Sequence, residues 1–351
     1  MTVRTLSDAE RRFIARMPKA ELHVHLEGSV HPETLLDLGR KHGVRYPFTD
    51  VAGARDWFRY RDFPHFIEVF DAVLASLLDE DDHARVTYEL AQEAQRQHTR
   101  YLEVTFTPAS PLKPRSAALP DVVLAGMQAG AARAEHELGV RMQFILDPGR
   151  NRTPEEFMAY ARWFSANLGG RLVGFGLGGV EVDNPPNRYA AAFARVRAAG
   201  ARLTLHAGET VGPASIRAAL AVGAERIGHG VRAIEDPDLV RELAERRIVL
   251  EVSPTSNVML GIYPSYAAHP WRALHAAGVP LTINTDDPVL FSTTLTDEYR
   301  IVAEQFGYTL DELCAFSLQA VRAAFLPEAD RRALARQFEA EMAALRAVAA
   351  G

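Results

Sequence analysis

The chain has 351 residues, 48% of them apolar, and a formal net charge of −6. A weakly acidic balance argues against nucleic acid or an anionic membrane as partner. The single cysteine, Cys314, excludes an internal disulfide framework and any multi-cysteine metal site. The opening stretch from Met1 to Lys19 is charged throughout and lacks an apolar core, so it does not read as a signal peptide. No apolar run is long enough to span a bilayer. These features predict a soluble, cytoplasmic protein.

In chain order, short apolar runs begin near Leu22 (LHVHL), Tyr101 (YLEVTF), Val140 (VRMQFIL), Leu172 (LVGFGL), Arg202 (RLTLH), Arg226 (RIGHG), Ile248 (IVLEVS) and Leu281 (LTINT). Each has the length and composition of a strand. Helical patterns such as Asp238–Arg246 and Pro270–Ala277 lie between them, and an Ala/Arg/Glu-rich helix is expected over Arg331–Ala350. Eight strand–helix alternations predict a parallel sheet closed into a (β/α)8 TIM barrel, with residues 1–351 as one domain. An open doubly wound sheet would want a Gly-rich phosphate loop after an early strand, and HLEGS is not one.

One connection, about residues 30–100, is a long helical insertion after strand 1. It is rich in aromatics: Tyr46, Phe48, Trp57, Phe58, Tyr60, Phe63, Phe66 and Phe70. Two readings stay open, a lid over the active site or rings that only pack helices onto the barrel.

Polar residues gather at strand ends. His23 and His25 are two apart on the first strand, so both imidazoles face one side. Strand five closes with His206-Ala207-Gly208-Glu209, strand six with Gly228-His229-Gly230, and strand eight with Asp286-Asp287-Pro288. In a barrel, strand C-termini build the active site. An isolated histidine in an apolar strand is usually a core residue; four strands delivering histidines and carboxylates to one mouth argue for a metal centre. His23, His25, His206 and Asp286 are the expected ligands. One zinc ion with N/O ligands acidifies water to a pKa of about 7. His229 is then placed to accept a proton from that water or to orient it. Glu209 is placed to act on substrate as an acid, provided its environment raises its pKa. Asp287 is placed to hydrogen-bond substrate. Spacing alone reaches a metal-assisted hydrolase.

The segments Pro18–Ser29 (PKAELHVHLEGS), Leu203–Glu209 (LTLHAGE), Arg226–Gly230 (RIGHG), Glu251–Asn257 (EVSPTSN), Leu281–Pro288 (LTINTDDP) and Phe325–Glu328 (FLPE) closely resemble the adenosine/adenine deaminase family of the amidohydrolase superfamily. The resemblance implies hydrolytic removal of a purine 6-amino group. It also implies that His23, His25, His206 and Asp286 bind zinc and that Glu209 protonates N1. His229 would activate the water, Asp287 contact N7, and Gly179 offer its backbone N–H to N3. Ser253–Asn257 reads as a turn with capping hydroxyls.

Two departures bear on the substrate. Adenosine deaminases carry Asp where this chain has Glu27, at the ribose 5′-hydroxyl. After strand four, relatives have an Asp-Leu-Ala-Gly-Asp-Glu type segment; here residues 176–181 read GLGGVE, without the first two acids. Glu27 also occurs in the adenine-deaminase branch, whereas Thr285–Tyr299 is more similar to nucleoside-acting members. A third branch acts on 6-aminodeoxyfutalosine, in a route to menaquinone. Its carboxylate would want a cation, from Arg59, Arg61, Arg150 or Arg152; the alternative for each is a solvent-facing charge.

Rival classes fit less well. Cytidine-type zinc deaminases need several cysteines. A barrel phosphoesterase would want further ligands on the middle strands, and strand three offers none. An inactive binding protein would have lost a ligand or the proton donor. The implied partner is a small-molecule aminopurine; the pattern is silent on oligomeric state.

Overall fold

The computed structural model describes residues 4–59, 63–109 and 118–350. Its eight strands are β1 (Lys19–His25), β2 (Thr99–Phe106), β3 (Arg141–Leu146), β4 (Leu172–Phe175), β5 (Arg202–Ala207), β6 (Arg226–His229), β7 (Val249–Val252) and β8 (Leu281–Ile283). They are hydrogen-bonded in sequence order, and every pair is parallel. All eight expected runs are strands. Both faces are covered, so β1, β6, β7 and β8 are buried along their whole length. β7 and β8 are largely apolar for that reason, whereas β1 alternates apolar residues with Lys19, Glu21, His23 and His25.

β8 is short because side-chain pairing takes over from the backbone. The Asn284 Oδ1 accepts the Leu22 N–H at 3.0 Å. Beyond it, an isolated parallel bridge joins Val24 to Asp286 and completes the ring between β8 and β1. The helices sit where their capping residues place them. Pro237 at the first helical position and Asp236 as N-cap start a helix at Pro237–Glu245. Another spans Trp271–Ala276. The final helix, Glu328–Ala350, starts three residues earlier than the composition suggests, because the Pro327 carbonyl already accepts the Arg331 N–H at 3.0 Å. Among the described residues no helix is long and apolar enough to cross a membrane.

Among its described residues the insertion holds four helices, Pro32–His42, Val51–Phe58, Phe63–Leu74 and Glu80–Arg96. Its aromatics divide into two groups. Tyr46 stacks on Phe48 at 5.0 Å, and Phe48 meets Trp57 at 5.2 Å. Phe66 stacks on Phe291 at 5.6 Å, and Phe70 meets His25 at 6.4 Å. The first group packs helix on helix; Phe66 and Phe70 face the barrel mouth. Tyr60, Arg61 and the Phe63 side chain lie outside the described residues.

Candidate active site

At the C-terminal mouth of the barrel, β1, β5, β6 and the end of β8 bring His23, His25, His206, His229 and Asp286 together. Ligand atoms of His23, His206, His229 and Asp286 all lie within 4.8 Å of one another. His25 joins them: its Nε2 is 3.2 Å from His206 Nε2 and 3.3 Å from Asp286 Oδ1. His23 Nε2 is also 3.3 Å from Asp286 Oδ1.

The donor set fits a divalent metal. His23 Nδ1 is held at 3.0 Å by Glu251, which leaves Nε2 as the lone-pair donor, buried and without a hydrogen-bond partner. Three imidazole nitrogens and one carboxylate oxygen converging on one point suit a tetrahedral N/O site. Ser256 Oγ donates to Asp286 Oδ2 at 2.7 Å, turning Oδ1 toward the histidines. Glu251 is in turn paired with Arg226 at 2.5 Å, and Arg226 also pairs with Glu103. Burial opposes the Glu251 charge most strongly, but Arg226, His23 and Thr204 together outweigh it and keep the carboxyl below its usual range. A metal-binding histidine held by a buried carboxylate keeps a fixed tautomer and orientation.

Two non-glycine residues of the site have a left-handed backbone. Asp286 and His229 have φ of +70° and +60°, in a left-handed region that costs a non-glycine residue about 1–3 kcal/mol. Gly28, in HLEGS, is also required: a Cβ there would lie 1.9 Å from Asp287 Oδ1. Its bare backbone lets Asp287 fold down beside β1. Gly179 has φ +87° and lines the same cavity.

That cavity, of about 220 Å³, is lined by His25, His206, Glu209, His229, Asp286, Asp287 and Gly179, and then by Phe66, Ile67, Phe70, Leu74 and Arg152. Burial and the nearby Asp286 and Glu181 charges push Glu209 up to about 8, the direction an acid at neutral pH needs. Burial lowers His229 to about 4, so its ring is neutral. Glu209 Oε2 is 3.8 Å from His229 Nε2.

Glu27 sits one step back from the wall. Its Oε1 accepts the N–H of Thr107 at 2.8 Å, Thr107 lines the cavity, and the buried Oε2 has no hydrogen-bond partner among the described residues. The four arginines separate. Arg59 is 80% exposed beside Asp56, and Arg61 lies outside the described residues. Arg150 is buried rather than solvent-facing, donating to the carbonyls of Asn184 and His206. Arg150 and Arg152 both line the cavity; Arg150 is committed to those two carbonyls, whereas Arg152 is anchored through Nε, which donates to Pro148 O at 3.1 Å.

Three positioning groups escaped the sequence reading. Ser253–Asn257 is not a capped turn: Ser253 caps nothing with its side chain, the helix runs Pro254–Met259, and Ser256 and Asn257 turn inward to Asp286 and His229. Glu181 accepts the N–H groups of Gly208, Glu209, Thr210 and Val211 and the Ser215 hydroxyl, at 2.6–3.2 Å, and so shapes the loop that carries Glu209. Asp147 is the residue after β3, a strand that by its sequence offers no metal ligand. Its Oδ2 is 3.9 Å from His206 Nδ1. The signal for Asp147 was its place at a strand end.

The adenosine deaminase family model matches residues 18–341. The chain is 40% identical to the adenine deaminase of Rhizobium leguminosarum bv. trifolii over 320 residues, 91% of this chain and 98% of that one. It is 38% identical to the aminodeoxyfutalosine deaminase of Streptomyces avermitilis over 336 residues, 95% of this chain and 93% of that one. Among solved structures, an amidohydrolase from Burkholderia ambifaria with bound Zn superposes with a TM-score of 0.90 at 27% identity, covering 99% of this chain and 98% of its own. On the family match over residues 18–341 and the identity to these deaminases, the chain belongs to the adenosine deaminase family and is a metal-dependent hydrolytic deaminase.

Proposed function

We propose that the substrate is a 6-aminopurine nucleoside, adenosine or a 5′-modified adenosine such as 6-aminodeoxyfutalosine, hydrolysed to the 6-oxopurine and ammonia with one zinc ion resident. The observation that carries this reading is the extent of the cavity. Beyond His25, Glu209, Asp287 and Gly179, it is lined by the apolar Phe66, Ile67, Phe70 and Leu74 and then by Asp71, Arg150 and Arg152. A free base leaves that wall uncovered; a nucleoside with an apolar, anionic 5′ extension covers it and meets a cation.

His23, His25, His206 and Asp286 would hold the metal, which when bound supplies an acidified water as the nucleophile. Glu209 delivers its proton to N1, which breaks the ring's aromaticity and makes C6 attackable. The water oxygen bonds to C6 as the bond from C6 to the amino nitrogen breaks; one water proton restores Glu209, and the other leaves with the amino group as ammonia. His229 contacts the attacking water. Asp287 holds N7, and the Gly179 N–H holds N3. Glu27 bears on the substrate through Thr107, whose N–H it accepts and which lines the cavity.

A second reading, free adenine as substrate, has its own support: Glu27 in place of aspartate and the 40% identity to an adenine deaminase. The deciding experiment compares ammonia release from adenine, adenosine, 5′-methylthioadenosine and 6-aminodeoxyfutalosine by the zinc-loaded protein. Preference for the 5′-extended nucleosides supports the proposal and a place in menaquinone synthesis. Preference for adenine overturns it.

A further inference from the structure

His229 is the last member of a hydrogen-bond chain whose first donor is unambiguous. The backbone N–H of Trp271 donates to His269 Nδ1 at 3.1 Å. A backbone amide can only donate, so Nδ1 of His269 is a lone pair and its ring proton is on Nε2. That Nε2 lies 3.1 Å from Asn257 Oδ1, which accepts. The orientation of the Asn257 amide is thereby set, with Nδ2 as donor. Nδ2 is 3.1 Å from His229 Nδ1. Nδ1 of His229 must accept, so the neutral ring carries its proton on Nε2.

All three side chains are buried: Asn257 is 0% exposed, His229 1% and His269 7%. Water therefore does not compete for these bonds, and reversing any one of them would set two donors or two acceptors face to face, at a cost comparable to a lost buried hydrogen bond. The groups packed around the relay leave the assignment intact. Around His269 are the rings of Tyr263 and Phe306. Around His229 Nε2 are Asp286 Oδ2 at 3.9 Å, an acceptor, and Glu209 Oε2 at 3.8 Å, which offers a lone pair whether or not its carboxyl is protonated.

We propose that Asn257 and His269 are positioning residues that fix His229 in its Nε2–H tautomer, so that His229 presents a donor to the reaction centre rather than a base. Its task is to orient the attacking water, and the developing charge, by donating a hydrogen bond. The functional half of this inference rests on the deaminase reading; the tautomer itself does not.

The first test is NMR of the zinc-loaded protein labelled with [15N]histidine, with the signals of His229 and His269 assigned from His229→Ala and His269→Gln variants. The expected result is an unprotonated Nδ1 and a protonated Nε2 in both rings. A His229 protonated on Nδ1 overturns the proposal. The second test is Asn257→Asp, nearly isosteric, whose carboxylate offers acceptors to both rings. His229 is expected to switch to Nδ1–H. In serine proteases the wrong imidazole tautomer lowers kcat by about 10⁴; here kcat should fall about 100-fold or more, with metal content unchanged. A switched tautomer with wild-type kcat overturns the functional half. A wild-type protein that deaminates no aminopurine would sink the proposed function and leave the tautomer assignment standing.

Discussion

Asp286 is bound to His23 by backbone as well as by side chain. The Asp286 N–H donates to the His23 carbonyl at 3.1 Å, and the Asp286 carbonyl accepts the His25 N–H at 2.8 Å. The seam that closes the barrel between β8 and β1 is therefore the same set of residues that supplies three of the four candidate ligands. Ring closure and metal geometry are one structural event. The left-handed φ at Asp286 is held by this two-sided pairing, which explains how the strained conformation persists.

Replacing Glu209 by Gln removes the acid without touching a ligand. Metal content, read by atomic absorption, should equal that of the wild type, while kcat falls by about 10²–10⁴. Loss of the metal in this variant would contradict the assigned roles.

The same carboxyl sets a pH limb. Glu209 must be protonated to act, and burial with the neighbouring acids raises it to about 8. Activity is then present below that pH and lost as pH rises through it. A kcat/KM profile should decline on the alkaline side near 8. A profile still rising at pH 10 would exclude Glu209 as the acid.

Gly28→Ala is a one-carbon test of the Asp287 position. A methyl at 1.9 Å from Asp287 Oδ1 cannot be accommodated without moving that carboxylate. Deamination should drop roughly tenfold or more, in line with a loss of about 1.4 kcal/mol or greater, with the metal retained. Wild-type kinetics would remove Asp287 from the substrate site.

Below the ligands, Arg226 lies between Glu103 and Glu251 with Phe325 over its guanidinium at 3.5 Å. Arg226→Met leaves two buried carboxylates facing each other without a cation. Breaking a buried ion pair from one side costs about 3–5 kcal/mol. Urea unfolding should show a loss of that size, and His23, released with Glu251, should bind metal more weakly.

Chelation provides the plainest check of metal dependence. Dialysis against a strong chelator should abolish deamination, and added zinc should restore it. Full activity in a sample shown to be metal-free would end the mechanism proposed above.

Much of this protein was legible in the residues themselves. Eight apolar runs separated by capped helices specify a barrel, because period and burial are local consequences of side-chain type. Strand ends in a barrel converge by topology, so His23, His25, His206, His229, Glu209 and Asp286 could be assembled on paper. Tertiary structure alone decided what has no local period: Ser256 and Asn257 turning inward from a short helix, Glu181 gathering the loop of Glu209, Asp147 beside His206, Arg150 buried and Arg152 at the cavity. These depend on which way a side chain points across a gap between elements distant in sequence. Spacing along the chain carries no such information, whereas the geometry of packed neighbours fixes it.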